Sequence, residues 1–324
     1  MERFDNMPET ALAWHRAGRK VALATVVQTW GSAPRRVGSQ LVIAEDGAIE
    51  GSVSGGCVEG DVVLEALEAI AEGAPRALEY GISDGDAFAV GLACGGTIRV
   101  LVEPVGPVLP VALLQELVAA RAARDKVAVV SPPEVGVRRL VREGFDDRFR
   151  MDWSGFEEDG SFVTIHNPPL RVIIVGAVHI AQALVPMARL AGFDPILIEP
   201  RPAFGSEERF PGETIVDEWP DEGVRALGLD GRTALVLLTH DPKLDDPALI
   251  EALETDVFYI GALGSTRTQA KRVARMQEAG LSDAQIGRIH GPVGLDIGAA
   301  SPAEIAVSIL AECLQVLRKG ESGQ

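Results

Sequence analysis

The stretch RVIIVGAVHIAQALVPMARLAGFDPILIEP, from Arg171 to Pro200, restricts the possible folds more than any other part of the chain. A β-rich apolar run (Val172 to Val175) leads into a glycine turn at Gly176. A helical pattern continues to Ala191 and is closed by Gly192. A second apolar run, Pro195 to Ile198, then ends in an acid, Glu199. Strand, turn, helix and strand in that order open a doubly wound parallel sheet. Further strands fit Thr233 to Leu238 and Asp256 to Ile260. None of these runs alternates in hydropathy, which is expected of strands covered on both faces.

The first half reads differently. A helix over Pro8 to Ala17 precedes a strand over Val21 to Val27, and GSQLVIA, Asp46-Gly47 and AIEGS carry a hairpin signal. A helix from Cys57 to Ala71 is stopped by Gly73 and Pro75. A strand over Thr97 to Val102 ends in Glu103-Pro104, before the turn-rich PVGPVLP. LVAARAARDKVAVVS echoes ALAWHRAGRKVALATVV, since in each a basic helix runs into Lys-Val-Ala and a strand. Residues 111–166 are therefore read as a weaker segment packed on the first domain, with HNPP (His166 to Pro169) as the boundary. The expectation is an α/β protein: an N-terminal α/β domain over 1–166 and a C-terminal Rossmann-like domain, with a doubly wound parallel sheet, over 167–324. Ser282 with Gln285 and Ser301 with Glu304 have capping-box spacing. Ile305, Ile309, Cys313 and Leu317 form the apolar stripe of a last helix, with Cys313 as a small buried hydrophobe.

A chain of 324 residues with an apolar fraction of 47% can fill two cores. No apolar run approaches the roughly 18–20 residues that span a bilayer. MERFDNMPETALAWHRAGRK lacks the apolar segment of a signal peptide, so a cytoplasmic protein without a membrane partner is expected. Three widely spaced cysteines do not form a disulfide framework. A net charge of −17 argues against a nucleic-acid partner, which needs a basic surface.

Two cysteines stand beside paired glycines, in GSVSGGCVEGD (Gly55, Gly56, Cys57) and GLACGG (Cys94, Gly95, Gly96). A cysteine at a helix N-terminus meets unpaired N–H groups and the positive end of the macrodipole, which favour a thiolate. The glycines let a ligand approach the backbone, whose amides suit an anion. The plainer alternative for Cys57 is a buried cysteine in a tight turn. No zinc-finger spacing accompanies either thiol, and two thiols on glycine-rich loops suit a soft metal centre or a sulfur species.

In the second domain, Gly176 and Ala181 fit a dinucleotide fingerprint, but Val178 replaces the glycine that lets a pyrophosphate approach. Gly176, His179 in the same turn, Glu199 as an acid for a ribose hydroxyl and Arg201 for a phosphate are the candidate contacts; NAD(P) is weakened by Val178. Other polar groups gather at strand ends: His240 and Asp241, then Gly264 and Ser265 before a helix bearing Arg267, Lys271 and Arg275, then His290 and Asp296. Together they suggest an anionic ligand pocket. A solvated helix face is the plainer reading of the Arg/Lys row.

With GSAPRRVGSQLVI, GSVSGGCVEGDVV, LACGGTIRVLVEP, the Gly176 turn, THDPKLDDPAL, YIGALGS and IHGPVGLDIGA in this order, the chain resembles the XdhC/CoxI family, accessory factors for xanthine dehydrogenase and related molybdenum hydroxylases. The resemblance implies a chaperone rather than an enzyme of steady turnover. Such a protein binds molybdenum cofactor (molybdopterin), protects it during sulfuration by a cysteine desulfurase, and helps deliver it to the apo molybdenum hydroxylase. It further implies a homodimer, with Cys57 and Cys94 as contacts to molybdenum or guards of its sulfido form. The main alternative is an NAD(P)-dependent oxidoreductase using the second domain; a third reading is a thiol-based sulfur-transfer enzyme in which Cys57 or Cys94 carries a persulfide.

Overall fold

The computed structural model describes residues 6–31, 33, 35–81, 96–132 and 138–319. The chain divides into two compact units, Met1–Pro168 and Pro169–Gln324.

The first unit opens with helix α1 (Met7–Arg16) and strand β1 (Val21–Trp30). The Asp46-Gly47 hairpin joins β2 (Gln40–Ala44) to β3 (Ile49–Gly51). Helix α2 (Glu59–Glu72) and strands β4 (Arg76–Tyr80) and β5 (Thr97–Pro104) follow. The sheet has the order β3-β2-β1-β5-β4, and every neighbouring pair is antiparallel. Sequence reasoning passed over β4: RALEY is short, follows a helix stop at once, and only its Tyr80 is buried. The apolar face of α2 (Val62, Ala66, Ala69) packs on this sheet with Leu41, Ile43 and Val100.

Residues 111–166 form a second, smaller layer: α3 (Val111–Ala122), β6 (Val127–Ser131), β7 (Arg139–Val141), α4 (Asp146–Met151), β8 (Gly155–Phe156) and β9 (Phe162–His166). Their sheet runs β7-β6-β9-β8 and is antiparallel. Helix α3 joins α1 in one apolar cluster through Leu114, Leu117, Ala11 and Leu12.

The second unit holds the expected doubly wound sheet. Its elements are β10 (Arg171–Val175), α5 (His179–Leu190), β11 (Asp194–Ile198), β12 (Thr214–Val216), α6 (Pro220–Leu227), β13 (Thr233–Leu237), α7 (Pro242–Leu253), β14 (Tyr259–Ala262), α8 (Thr266–Glu278), α9 (Asp283–Ile286), β15 (Ile289–His290) and α10 (Pro302–Lys319). All strands are parallel in the order β12-β11-β10-β13-β14-β15, so the order reverses between β10 and β13. In such sheets ligands bind at the carboxyl ends of the strands. Both faces are covered, by α5 and α10 on one side and by α7 and α8 on the other. Strand β14 starts three residues later than Asp256 because the chain is still turning there, with the Phe258 amide bonded to the Thr233 carbonyl. Among the described residues no helix is long and apolar enough to cross a membrane.

Gly261, inside β14, has no room for a side chain: a Cβ would lie 2.6 Å from the Tyr259 hydroxyl and 2.8 Å from its ring. Tyr259 is fully buried and tied to Glu312, so it yields only at a cost. Gly261→Ala is expected to destabilise the protein by about 1–3 kcal/mol in urea unfolding, the usual range for overpacking a core.

Candidate functional site

The loop after β3 sets out Gly55, Gly56 and Cys57, all exposed. Helix α2 begins two residues later than Cys57, because Gly55 and Gly56 take left-handed φ values of +76° and +106°. Ser54 then accepts the Cys57 amide at 3.0 Å and the Val58 amide at 2.9 Å. The thiol therefore stands at the rim of the loop, before the helix.

The loop closes on a carboxylate from its own helix. Glu59 accepts the Ser52 hydroxyl at 2.7 Å, the Val53, Ser54 and Gly56 amides at 3.2, 2.9 and 2.8 Å, and the Ser54 hydroxyl. The Gly55 amide goes to Ser52 at 2.9 Å. The amides that sequence reasoning offered to an anion thus already donate inside the loop. Burial alone would raise the Glu59 carboxyl, but the hydrogen bonds from Ser54 and Ser52 outweigh it and bring its pKa down to about 2. Cys94 and Gly95 lie outside the described residues, and Gly96 is buried just ahead of β5. Cys313 is buried in the α10 stripe, and burial pushes its thiol well up.

At the Gly176 turn a second carboxylate plays the same part. Gly176 has φ +102°, and a Cβ there would lie 2.7 Å from the Thr239 methyl. Glu199, 1% exposed, accepts the Ala177 amide at 2.9 Å, the Arg201 amide at 3.1 Å, and the Arg201 guanidinium through two bonds of 2.7 and 2.8 Å. Four donors use the acceptor capacity of one carboxylate. Burial raises the Glu199 carboxyl, but the Arg201 and Ala177 bonds outweigh it and the net shift is downward. Arg201 stacks over Phe204 at 4.2 Å, and Arg209 donates to the Ala177 carbonyl at 2.8 Å. Val178 is the residue before α5, and His179 opens the helix, exposed. So Gly176, Glu199 and Arg201 do meet, but Glu199 is bonded to Arg201 and to the amide of Ala177, the residue after Gly176.

The remaining strand-end residues fall into two groups. His240, exposed and with φ +61°, lines a cleft with α7 and α8; Asp241 caps α7 through the Lys243 amide at 3.0 Å. Ser265 caps α8 through the Thr268 amide at 3.2 Å, and Gly264 at φ +150° brings the turn onto the Thr268 side chain. Arg267, Lys271 and Arg275 line this cleft too, and so does Arg272, which sequence reasoning passed over. Arg272 shares a helical face with Thr268 and Met276, and that four-residue spacing was its signal. Asp296 is exposed in the loop before α10 and does not line the cleft.

In the second group, His290 stacks on Tyr259 at 4.8 Å, and Glu312 gathers three donors: Tyr259 at 2.5 Å, the Gly294 amide at 2.7 Å and His290 Nδ1 at 3.3 Å. Glu312 was missed, although it is an acid three residues from Ile309 on an apolar stripe. Among the described residues no cluster of three or more His, Cys, Asp or Glu side chains is placed to hold a metal ion.

The model of the XdhC Rossmann domain matches residues 172–313, and that of the XdhC and CoxI family matches residues 14–81. Over 301 residues the chain is 32% identical to the molybdenum cofactor insertion chaperone PaoD of Escherichia coli (strain K12), covering 93% of this chain and 84% of that one. It is 27% identical over 339 residues to a probable xanthine dehydrogenase subunit of Bacillus subtilis (strain 168), covering 93% and 94%. A crystal structure of a xanthine dehydrogenase from Bacillus halodurans superposes with a TM-score of 0.71 at 28% identity, covering 97% of this chain and 96% of that one.

Glu59 gives the first loop a measurable pH signature. A carboxylate held below its unfolded pKa stabilises the fold above that pKa and loses the contribution as pH falls through the folded value. Glu59→Gln is expected to cost about 1.5–3 kcal/mol at neutral pH, the range for hydrogen bonds to a charged group. The gap from the unsubstituted protein should close as pH falls from about 4.5 to about 2, followed by denaturant unfolding across that window.

Proposed function

The chain belongs to the XdhC and CoxI family, and on that premise we propose that it is an accessory protein that holds molybdenum cofactor and helps insert it into a molybdenum hydroxylase of the xanthine dehydrogenase type. The observation that carries this reading is the 32% identity to a molybdenum cofactor insertion chaperone over 93% of the chain. The exposed, glycine-flanked Cys57 supports it from the structural side.

The first loop fits such a ligand through its sulfur and not through its amides. A thiolate is a soft donor suited to molybdenum. A Cβ at Gly56 would meet nothing within 4 Å, so a bulky ligand has room beside Cys57. The neighbouring amides are committed to Ser52, Ser54 and Glu59. Glu59 keeps the loop in one shape, so presenting the thiol costs little further ordering. Cys57 would then be the group that meets the metal, with Cys94, Gly95 and Gly96 as the partner segment. When bound, the cofactor supplies the molybdenum centre on its pterin dithiolene. The chain binds it, shields it and passes it on without itself reacting with it.

The same reading takes in protection of the cofactor while a cysteine desulfurase supplies its terminal sulfur, and action as a homodimer. The rival reading, an NAD(P)-dependent oxidoreductase, needs Glu199 to turn to a ribose hydroxyl. That carboxylate would first have to release the Ala177 amide and the Arg201 guanidinium.

In an anaerobic titration with cofactor released from a molybdoenzyme, the protein is expected to co-elute with close to stoichiometric molybdenum and pterin fluorescence. Cys57→Ser should retain at least about tenfold less, a loss of roughly 1.4 kcal/mol in binding. The Cys57→Ser, Cys94→Ser double variant should retain none. A wild-type protein that binds no cofactor would remove the basis of the reading, and full retention by the double variant would remove the thiols from it.

A further inference from the structure

Arg272 and Asp245 are each 2% exposed, yet each keeps one side-chain atom without a partner, Nε of the arginine and Oδ2 of the aspartate. Their other atoms are engaged. Arg272 donates to Gln269 at 2.6 Å and to the Leu263 carbonyl at 2.9 Å, while Asp245 accepts the Thr239 hydroxyl at 2.6 Å. A buried polar atom without a partner costs about 1–3 kcal/mol, and more when charged. Neither helix needs the expense for packing, since apolar side chains fill their other buried positions.

Both side chains line one cleft of about 470 Å³, at the carboxyl ends of β13 and β14. The chain carries a net charge of −17, yet the lining sets Arg267, Lys271, Arg272 and Arg275 against the single carboxylate of Asp245. Asp246 takes up Arg275 through a bond of 2.9 Å. Arg267 and Lys271 are exposed, lie one helical turn apart and make no ion pair among the described residues. Like charges at that spacing repel. The positive end of the α8 dipole adds to the same field. His240 at the rim holds a left-handed backbone, a strained state that occurs at ligand sites more than elsewhere.

We propose that this cleft binds a small phosphorylated molecule. Arg267 and Lys271 take the phosphate oxygens. The free Oδ2 of Asp245 accepts from an N–H or O–H of the ligand's body, and Arg272 Nε donates to it. The volume falls in the roughly 300–1,000 Å³ range of small-molecule sites and exceeds what a bare phosphate needs. The place differs from that of a dinucleotide, whose pyrophosphate would lie on the first turn, at Gly176. The inference goes beyond the accessory function and does not depend on it: the phosphate arm of the cofactor and a free nucleotide offer the same chemistry.

The test is calorimetric titration of the full chain at low ionic strength with pyrophosphate and with AMP. A submillimolar Kd for at least one of them is expected. The Arg267→Gln, Lys271→Gln double variant, both positions exposed, should weaken it at least tenfold. Asp245→Asn should weaken AMP severalfold by removing the acceptor for its N–H or O–H groups, while leaving pyrophosphate, which has no such body, no weaker. Lys126→Gln, in the first unit, should leave it unchanged. No binding of either probe at millimolar concentration, or equal binding by the double variant, would overturn the proposal. Released molybdenum cofactor that competes with pyrophosphate names the cofactor as the source; AMP binding without such competition names a nucleotide. Cofactor held equally by wild type and double variant, with no probe binding, sinks the cleft and leaves the accessory function standing.

Discussion

Three buried or half-buried carboxylates accept backbone amides from glycine-rich loops, and the shapes of those loops follow from them. Glu59 draws Val53, Ser54 and Gly56 inward, Glu199 holds Ala177 after Gly176, and Glu312 holds Gly294. Glycine supplies the positive φ that such turns require and loses the most conformational freedom when they form. A charge-assisted bond to each amide offsets that loss. In each case the hydrogen bonds to the ionised form outweigh the desolvation of the carboxylate, which is why all three have lowered pKa values.

The same device decides what the loops offer a ligand. A loop whose amides are used up internally is rigid, and presents side chains rather than backbone. At the first loop this leaves the Cys57 thiol as the exposed chemistry. At the Gly176 turn it leaves little, because Glu199, Arg201 and Arg209 bond to the turn or to one another. Thr239 connects that turn with the neighbouring cleft. Its methyl packs where a Gly176 side chain would stand, and its hydroxyl donates to Asp245.

Sequence pattern was enough for the architecture where hydrophobic runs were long. Val172 to Val175, the helical pattern to Ala191 and Pro195 to Ile198 read directly as strand, helix and strand, the helix ending one residue sooner at Leu190. The Asp46-Gly47 hairpin and the Ser282 capping box were legible from turn and cap chemistry. Where one polar residue faces inward from an otherwise ordinary element, the pattern failed. Arg272 looks like one member of a cationic helix face, and Glu312 like the solvated side of an amphipathic helix. Arg272 is fixed by Gln269 and by the Leu263 carbonyl in the turn ahead of its helix, and Glu312 by Tyr259 on a distant strand. The amides of Gly55 and Gly56 misled for a related reason: glycine spacing signals an available backbone, and only the fold reveals that Ser52, Ser54 and Glu59 have taken it.

Net charge also limits how the second unit recognises an anion. A chain at −17 repels anions at long range, but that field is screened within about 8–10 Å in physiological salt. Attraction inside the α7–α8 cleft is therefore local and depends on the fixed positions of its groups. Arg272 is fixed by Gln269 and the Leu263 carbonyl, and Asp245 by Thr239. Arg267 and Lys271 keep their freedom at the surface. A rigid floor with mobile cations above it can hold the body of a ligand in one orientation while its phosphate stays partly hydrated. Affinity then falls with salt, while selectivity, set by the buried pair, is kept.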